Sequence, residues 1–204
     1  RKSWDVVAPT SDLLEGIERL GLTATAPGED FFADLTKIAR SRNDVRNSKH
    51  LVVHRHIIGR SGFANGDLKT RAALNKAMSK REDGAPFFPR PSLRDSPAVN
   101  GKFIEAELGF RALAHTLNSL SLVSEKLIFT HPVLDRPINV EIDGSSANHP
   151  VELKTVKVLE RISSKLRVMM MQLAGQAIAK SIDSGILIIA EREGVRLTAV
   201  SVSG

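Results

Sequence analysis

The chain has 204 residues, of which 42% are hydrophobic and 25% charged, so it is long and apolar enough to bury the core of a compact domain. It contains no Cys, which excludes disulfides and Cys-ligated zinc or iron–sulfur sites and suits the cytoplasm or another reducing compartment. Only 4% of the residues are aromatic, so stacking of many bases on aromatic rings is poorly supported. The sequence shows no apolar stretch long enough to span a bilayer, and we expect no membrane partner.

Positive charge is concentrated in the first half of the chain. The net charge is +6, and residues 1–100 contribute +5 of it, with 17 Lys and Arg against 12 Asp and Glu. The segment Lys37–Arg60 has seven basic residues against one acid, Asp44. A phosphate backbone attracts such a cluster through Coulomb steering and counterion release, although a solvated helix face followed by a loop explains it as well. The candidate nucleic-acid contacts in this segment are Arg40, Arg42, Arg46, Lys49 and Arg55.

The elements predicted for the first hundred residues are mainly short helices. One helix is predicted from Ser11 to Leu20, and a second begins after the turn at Pro27-Gly28. Four prolines between Gly84 and Asn100 indicate a connection rather than an element. We therefore predict two parts: a helical, basic region at 1–100 that contacts the substrate, and a second domain at 101–204.

The second part has a clear order of helix, three strands, helix and two strands. Apolar residues at helical spacing predict the helices, and alternating or continuous apolar runs rich in β-branched residues predict the strands. The helices are Gly101–Leu120 and Glu160–Ile182, and the strands are Lys126–Thr130, Ile138–Asp143, Val151–Val158, Ile186–Ala190 and Arg196–Val202. This order predicts an α/β fold in which helices flank a mixed β-sheet.

Two carboxylates and an amine converge in the predicted strand–turn–strand unit. Asp143 closes one strand, a polar turn follows at Gly144–His149, and Glu152 and Lys154 lie on the next strand. Glu152 and Lys154 share a face because they are two residues apart, and pairing of the two strands would bring Asp143 beside them. Carboxylate oxygens suit Mg²⁺ or Mn²⁺, and an ammonium offsets phosphate charge. The pattern predicts a metal-dependent phosphodiesterase site, while an ordinary hairpin with a surface salt bridge is the alternative interpretation.

This pattern resembles the PD-(D/E)XK nuclease superfamily, which includes type II restriction enzymes, RecB-type nucleases and archaeal Holliday-junction resolvases. The resemblance covers residues 101–204 and implies a restriction-endonuclease-like fold. It also implies metal ligands at Asp143 and Glu152 and a catalytic lysine at Lys154. Gln172 falls where RecB-type nucleases carry a glutamine followed four residues later by Tyr, and Gln176 at that later position departs from the pattern.

Members of this superfamily often add a metal-binding Glu from the first helix, and two residues are candidates. Glu107 falls within the apolar arc of the helix, where a carboxylate needs a metal or another cation as partner. The resolvase-like spacing from Gly101 points to Glu105 instead. We prefer Glu107 on helical phase and keep Glu105 as the second candidate, and plain helix-surface acids are the alternative for both. Glu141 shares the face of Asp143, so it is a candidate for a second metal or for an ion pair with Lys154 or Lys157.

The resemblance implies a metal-dependent nuclease, for which we expect DNA rather than RNA as substrate. Gln172 and Lys157 are further candidate nucleic-acid contacts, and a solvated surface face is the alternative for Lys157. Bacterial toxins that cut DNA or tRNA also use this fold, and the chain begins at Arg rather than Met, so an RNA- or tRNA-cleaving toxin fragment with a cognate immunity protein is an alternative. A non-catalytic nucleic-acid-binding module and a domain that binds an acidic protein are further alternatives. His54 and His56 also fit metal-free acid–base cleavage of RNA.

Overall fold

The computed structural model describes residues 4–41, 101, 104–105, 107–109, 111–112, 115–131 and 133–204. The strands are β1 (Asp5–Val6), β2 (Thr23–Thr25), β3 (Glu125–His131), β4 (Arg136–Ile142), β5 (Gly144–Ser146), β6 (His149–Val156), β7 (Ser184–Glu191) and β8 (Arg196–Ser203). The helices are α1 (Ser11–Glu18), α2 (Glu29–Arg40), α3 (the helical residues between 101 and 112) and α4 (Ser163–Ala179). None of the helices in these ranges is long and apolar enough to cross a membrane.

A mixed sheet of six strands lies at the centre of the fold. Its order is β1-β8-β7-β6-β5, and β2 also pairs with β8. β6 and β7 are parallel and are connected by α4, whereas the β7–β8 and β5–β6 pairs are antiparallel. β3 and β4 form a separate antiparallel pair. The predicted α/β fold with a mixed sheet and flanking helices is therefore confirmed.

Apolar side chains on both faces of the sheet form two cores. One core packs α2 and α3 against the face that carries Val151 and Leu153. The other packs α1 and α4 against the face that carries Val156 and Leu187. Because β7 is covered on both faces, its sequence is a nearly continuous apolar run.

Residues 5–40 belong to the same sheet and the same cores. β1 and β2 pair with the two ends of β8, and α1 and α2 each contribute buried residues to one core. The division predicted near residue 100 therefore does not separate these elements from the sheet, because β1 and β2 bond to backbone groups along one edge of β8. The remainder of the predicted basic region, 42–100, lies outside the described residues.

The predicted helix from Gly101 to Leu120 ends earlier than expected. Residues 115–120 are not helical, because the Asp34 carboxylate accepts hydrogen bonds from the three consecutive amides of 118–120 at 2.7–3.1 Å. Burial raises the pKa of Asp34, but the hydrogen bonds, led by that from Ser119, outweigh it and leave the pKa below its ordinary value. Asp34 thus fixes the loop that leads into β3.

Candidate active site

Asp143 lies at the junction between β4 and β5. β4 pairs with β3 and not with β6, whereas β5 pairs with the first residues of β6. The predicted pairing of the Ile138–Asp143 strand with the strand that carries Glu152 is therefore wrong, because part of the predicted turn at Gly144–His149 forms β5 itself. Asp143 nevertheless arrives beside β6, since it directly precedes β5.

A hydrogen bond holds the Asp143 carboxylate against β6. Oδ2 of Asp143 accepts from the backbone amide of Leu153 at 2.9 Å. The pairing between β5 and β6 ends at Val151, so the side chain satisfies an amide just beyond the end of β5. Because Leu153 lies between Glu152 and Lys154 in the chain, this bond brings Asp143 to the stretch of β6 that carries the other two predicted residues.

Gly144 allows the chain to pass close to a neighbouring segment at this junction. A Cβ atom at this position would lie 2.2 Å from the carbonyl oxygen of Ser121 and 3.2 Å from Cα of Leu122. Ser121 and Ser145 also exchange two backbone hydrogen bonds of 2.8 Å. A side chain at 144 would therefore displace the backbone directly beside Asp143.

Glu152 and Lys154 share a face of β6, as the alternation along the strand predicts. Glu152 is 2% exposed, whereas the Lys154 side chain is 27% exposed. Nζ of Lys154 donates to Oε1 of Glu152. From α4, Nε2 of Gln172 donates to Oε1 at 2.7 Å and Nε2 of Gln176 donates to Oε2. The carboxylate is thus held by an ammonium and two amides.

The two carboxylates interact electrostatically. Burial and, next, the charge of Asp143 raise the pKa of Glu152, whereas the Lys154 ammonium and the Gln176 hydrogen bond lower it, and the net result is a pKa of about 7. The net upward shift means that the Lys154 ammonium and the hydrogen bonds do not fully offset burial and the charge of Asp143. An additional cation would lower the electrostatic free energy of this group.

The arrangement of donor atoms fits a hard divalent cation. Oε1 of Glu152 accepts two hydrogen bonds and Oε2 accepts one, so Oε2 keeps an acceptor position. Oε1 of Gln176 is buried and has no hydrogen-bond donor among the described residues. Carboxylate and amide oxygens are the ligands that Mg²⁺ and Mn²⁺ prefer. In the described ranges, no three or more His, Asp or Glu side chains form a group that could hold a metal, so the cluster itself offers two carboxylates.

The structure gives Glu107 a partner other than a metal. Its Oε1 accepts from Arg111 at 2.7 Å, and Arg111 also donates to the carbonyl of Ala39 at 2.8 Å. α3 packs against the sheet face opposite to that of Glu152. In the described part of the chain, neither Glu107 nor Glu105 joins Asp143 and Glu152 in a group that could hold a metal. Their role as an additional ligand stays a prediction.

The predicted nucleic-acid contacts fall in several environments. Arg40 is exposed at the end of α2, and Lys157 is exposed with its Nζ 3.3 Å from Glu193. Gln172 is an exposed residue that bonds to Glu152, so it forms part of the carboxylate cluster. The remaining candidates and the paired histidines lie outside the described residues: Arg42, Arg46, Lys49, Arg55, His54 and His56.

Glu141 and Gln176 differ from expectation. The lysines proposed as partners of Glu141 pair elsewhere, Lys154 with Glu152 and Lys157 with Glu193. The backbone carbonyl of Glu141 instead accepts from Gln176 at 2.9 Å. From the sequence alone, Gln176 is only a departure from the RecB-type pattern. Its position four residues after Gln172, on the same face of a helix, was the signal that could have identified it.

An apolar cavity of about 160 Å³ lies elsewhere in the described structure. It is formed by α4 and the end of β8, and its lining includes Met170, Leu173 and Val202 but none of the clustered acids or Lys154. We do not place the candidate site there, because a charged phosphodiester requires polar partners.

Comparisons of the chain with known protein families, with curated proteins and with solved structures find no match.

Proposed function

We propose that this protein is a metal-dependent nuclease of the PD-(D/E)XK type, with a restriction-endonuclease-like fold, that hydrolyses phosphodiester bonds and favours DNA over RNA. The observation that supports this proposal is the convergence of Asp143, Glu152 and Lys154 beside the end of β5. The basic first half of the chain supplies charge that a nucleic-acid backbone attracts.

The two acids and the lysine have different roles in the proposed reaction. A divalent cation bound at the cluster would lower the pKa of a water ligand and neutralise charge that develops on the phosphate. Asp143 and Glu152 would hold this cation through their carboxylate oxygens. Lys154, whose side chain is partly exposed, would orient the attacking water and offset negative charge on the phosphate.

A purely structural ion pair explains the cluster less well. Burial of Glu152 beside a second acid is unfavourable, as its raised pKa indicates. Buried ion pairs contribute little net stability compared with apolar residues of similar size, so packing alone does not require this set. Perturbed acids beside a cation are typical of catalytic sites.

A cleavage assay tests the proposal directly. The purified chain is incubated with plasmid, linear duplex DNA, single-stranded DNA and total RNA, in Mg²⁺ or in EDTA. We expect cleavage of DNA in Mg²⁺ and none in EDTA. Cleavage restricted to RNA would favour the toxin alternative, whereas binding without any cleavage would favour a non-catalytic nucleic-acid-binding module.

Lys154→Ala tests the proposed catalytic role of the lysine. We expect a loss of cleavage of at least about 100-fold with nearly unchanged binding, because the ammonium acts on charge that develops during the reaction. Lys126→Ala, at an exposed lysine of β3, is the control and should keep full activity. Full activity of Lys154→Ala would exclude the assigned site.

Asp143→Asn tests the metal ligands without removing the contact to β6. The amide oxygen of Asn can still accept from the backbone of Leu153, so the fold should persist, but one of two acidic ligands is lost. We expect Mn²⁺ affinity, measured by calorimetry, to fall at least about tenfold. Equal affinity in wild type and variant would show that Asp143 is not a ligand.

A further inference from the structure

We propose that Gln176 is a positioning residue that connects β4, the strand directly before Asp143, to the strand that carries Glu152, and so sets the spacing of the two carboxylates. The expected effect of Gln176 on metal binding rests on the proposed function. The hydrogen bonds that connect the two strands do not depend on that proposal.

The amide of Gln176 bridges two strands. The residue is 1% exposed on α4, and its Nε2 donates both to Oε2 of Glu152 and to the backbone carbonyl of Glu141. An amide nitrogen carries two protons, so both are used in this bridge. Glu141 is two residues from Asp143, and its backbone position therefore determines where the second carboxylate lies.

The bridge matters because β4 and β6 belong to different sheets. β4 pairs with β3, whereas β6 lies in the central sheet, so no ladder of hydrogen bonds fixes the distance between them in the described structure. The short strand β5 and the bond from Leu153 to Asp143 anchor one end of the junction. Gln176, which lies on α4, holds the backbone at Glu141, two residues before Asp143.

Gln172 provides an internal comparison on the same helix. It lies one turn before Gln176 and donates to the other oxygen of Glu152 at 2.7 Å, but none of its described hydrogen bonds reaches β4. Removal of Gln172 would therefore weaken the hold on one carboxylate without releasing the strand that carries the other. A comparison of the two variants therefore distinguishes the effect of positioning β4 from the effect of losing a hydrogen bond to Glu152.

Distances between spin labels test the bridge independently of activity. The chain has no Cys, so nitroxides can be attached selectively at Asn139→Cys on β4 and Lys157→Cys just after β6, both at exposed positions. Gln176→Met keeps a similar volume but removes both donors, and Gln172→Met is the matched control. We expect the inter-label distance distribution, measured by double electron–electron resonance, to broaden or shift in Gln176→Met and to remain that of the parent in Gln172→Met.

Metal affinity provides the functional readout. Loss of a residue that orients metal ligands reduces affinity by about 10–100-fold, and we expect Gln176→Met to fall in this range for Mn²⁺. Gln172→Met should lose less, because Asp143 stays in place. Thermal unfolding of each variant checks that the fold is retained, and Gln176→Asn, whose shorter amide cannot span both acceptors, replaces Gln176→Met if the latter does not fold.

The outcomes distinguish the two proposals. An unchanged distance distribution in the folded Gln176 variant would overturn the bridge. An equal change in the Gln172 variant would also overturn it. A changed distribution in a protein whose wild type binds no Mn²⁺ would support the bridge and contradict the proposed nuclease.

Discussion

Glu152 is the residue whose protonation most directly controls the candidate site. Burial and the Asp143 charge raise its pKa to about 7, so near neutral pH a proton and a cation compete for the same oxygens. Lys154, Gln172 and Gln176 all donate to this carboxylate, an arrangement that favours its charged form. Their combined effect is still smaller than that of burial beside Asp143.

We predict that Mn²⁺ affinity depends on pH through Glu152. Below the pKa of about 7, binding of the cation must displace a proton, so affinity should rise about tenfold per pH unit up to that value and then level off. Calorimetry in two buffers of different ionisation enthalpy measures both the affinity and the number of protons released.

Glu152→Gln is the control for this pH dependence. This variant should bind Mn²⁺ weakly, and residue 152 should no longer make the affinity depend on pH, since an amide does not titrate. An affinity for wild type that is constant from about pH 5.5 to 8 would contradict the shifted carboxyl pKa.

At the scale of elements, the sequence predicted most helices and strands but not how they pair. Period and β-branched content identified α1, α2, α4, β7 and β8, because these segments each cover a hydrophobic core. β5 was missed because Gly144–Ser146 has no apolar alternation and its partner is fixed by the register of β6. The pairing of β4 with β3 was missed because strand pairing depends on tertiary contacts that local pattern does not contain.

Only part of the candidate site could be predicted, because the rest also depends on tertiary contacts. Glu152 and Lys154 are two residues apart on one strand, so local alternation was enough to place them together. Asp143 reaches them through a different connection from the one expected, and Gln176 comes from a helix 24 residues after Glu152. Sequence spacing does not encode a contact of that kind.

Gly144 allows a test of the element that positions Asp143. In Gly144→Ala the added Cβ would meet the Ser121 carbonyl, and we expect the free energy of unfolding to fall by about 1–3 kcal/mol as the backbone shifts. Mn²⁺ affinity should fall as well, because Asp143 is the adjacent residue. Urea unfolding and calorimetry measure the two effects.

Gly175→Ala is the matched control. A Cβ at this helical position meets no atom within 4 Å, so the same substitution should leave stability unchanged or raise it by up to about 1 kcal/mol. Unchanged stability and metal affinity in Gly144→Ala would show that the close approach at this junction does not position Asp143.

At the scale of the whole molecule, residues 5–40 are joined to the sheet that carries the candidate site. The sequence did not predict this because β1 and β2 have two and three residues, which is too short for a periodic pattern. Their pairing with β8 brings α2, with exposed Arg40 at its end, into the same fold as the carboxylate cluster. The basic segment therefore follows, in the sequence, directly after a helix of the fold that carries Glu152.

We predict that this charge dominates the salt dependence of nucleic-acid binding. In a Lys154→Ala background, in which we expect little cleavage, reversal of Arg40, Arg42 and Arg46 to Glu should weaken DNA binding. The slope of log affinity against log salt should decrease by about 2–3, because each lost phosphate contact reduces the slope by about 0.9. Fluorescence anisotropy at a series of salt concentrations measures both quantities.

The control for this prediction changes net charge by the same amount at other sites. Reversal of Arg19, Lys126 and Arg136, all exposed, alters the overall charge equally but lies outside the basic segment. If both triple variants reduce affinity and slope alike, the effect belongs to the net charge of +6. A selective effect of the Arg40 set would place the phosphate contacts in the segment that begins at the end of α2, because screened charges act over only about 10 Å at moderate salt.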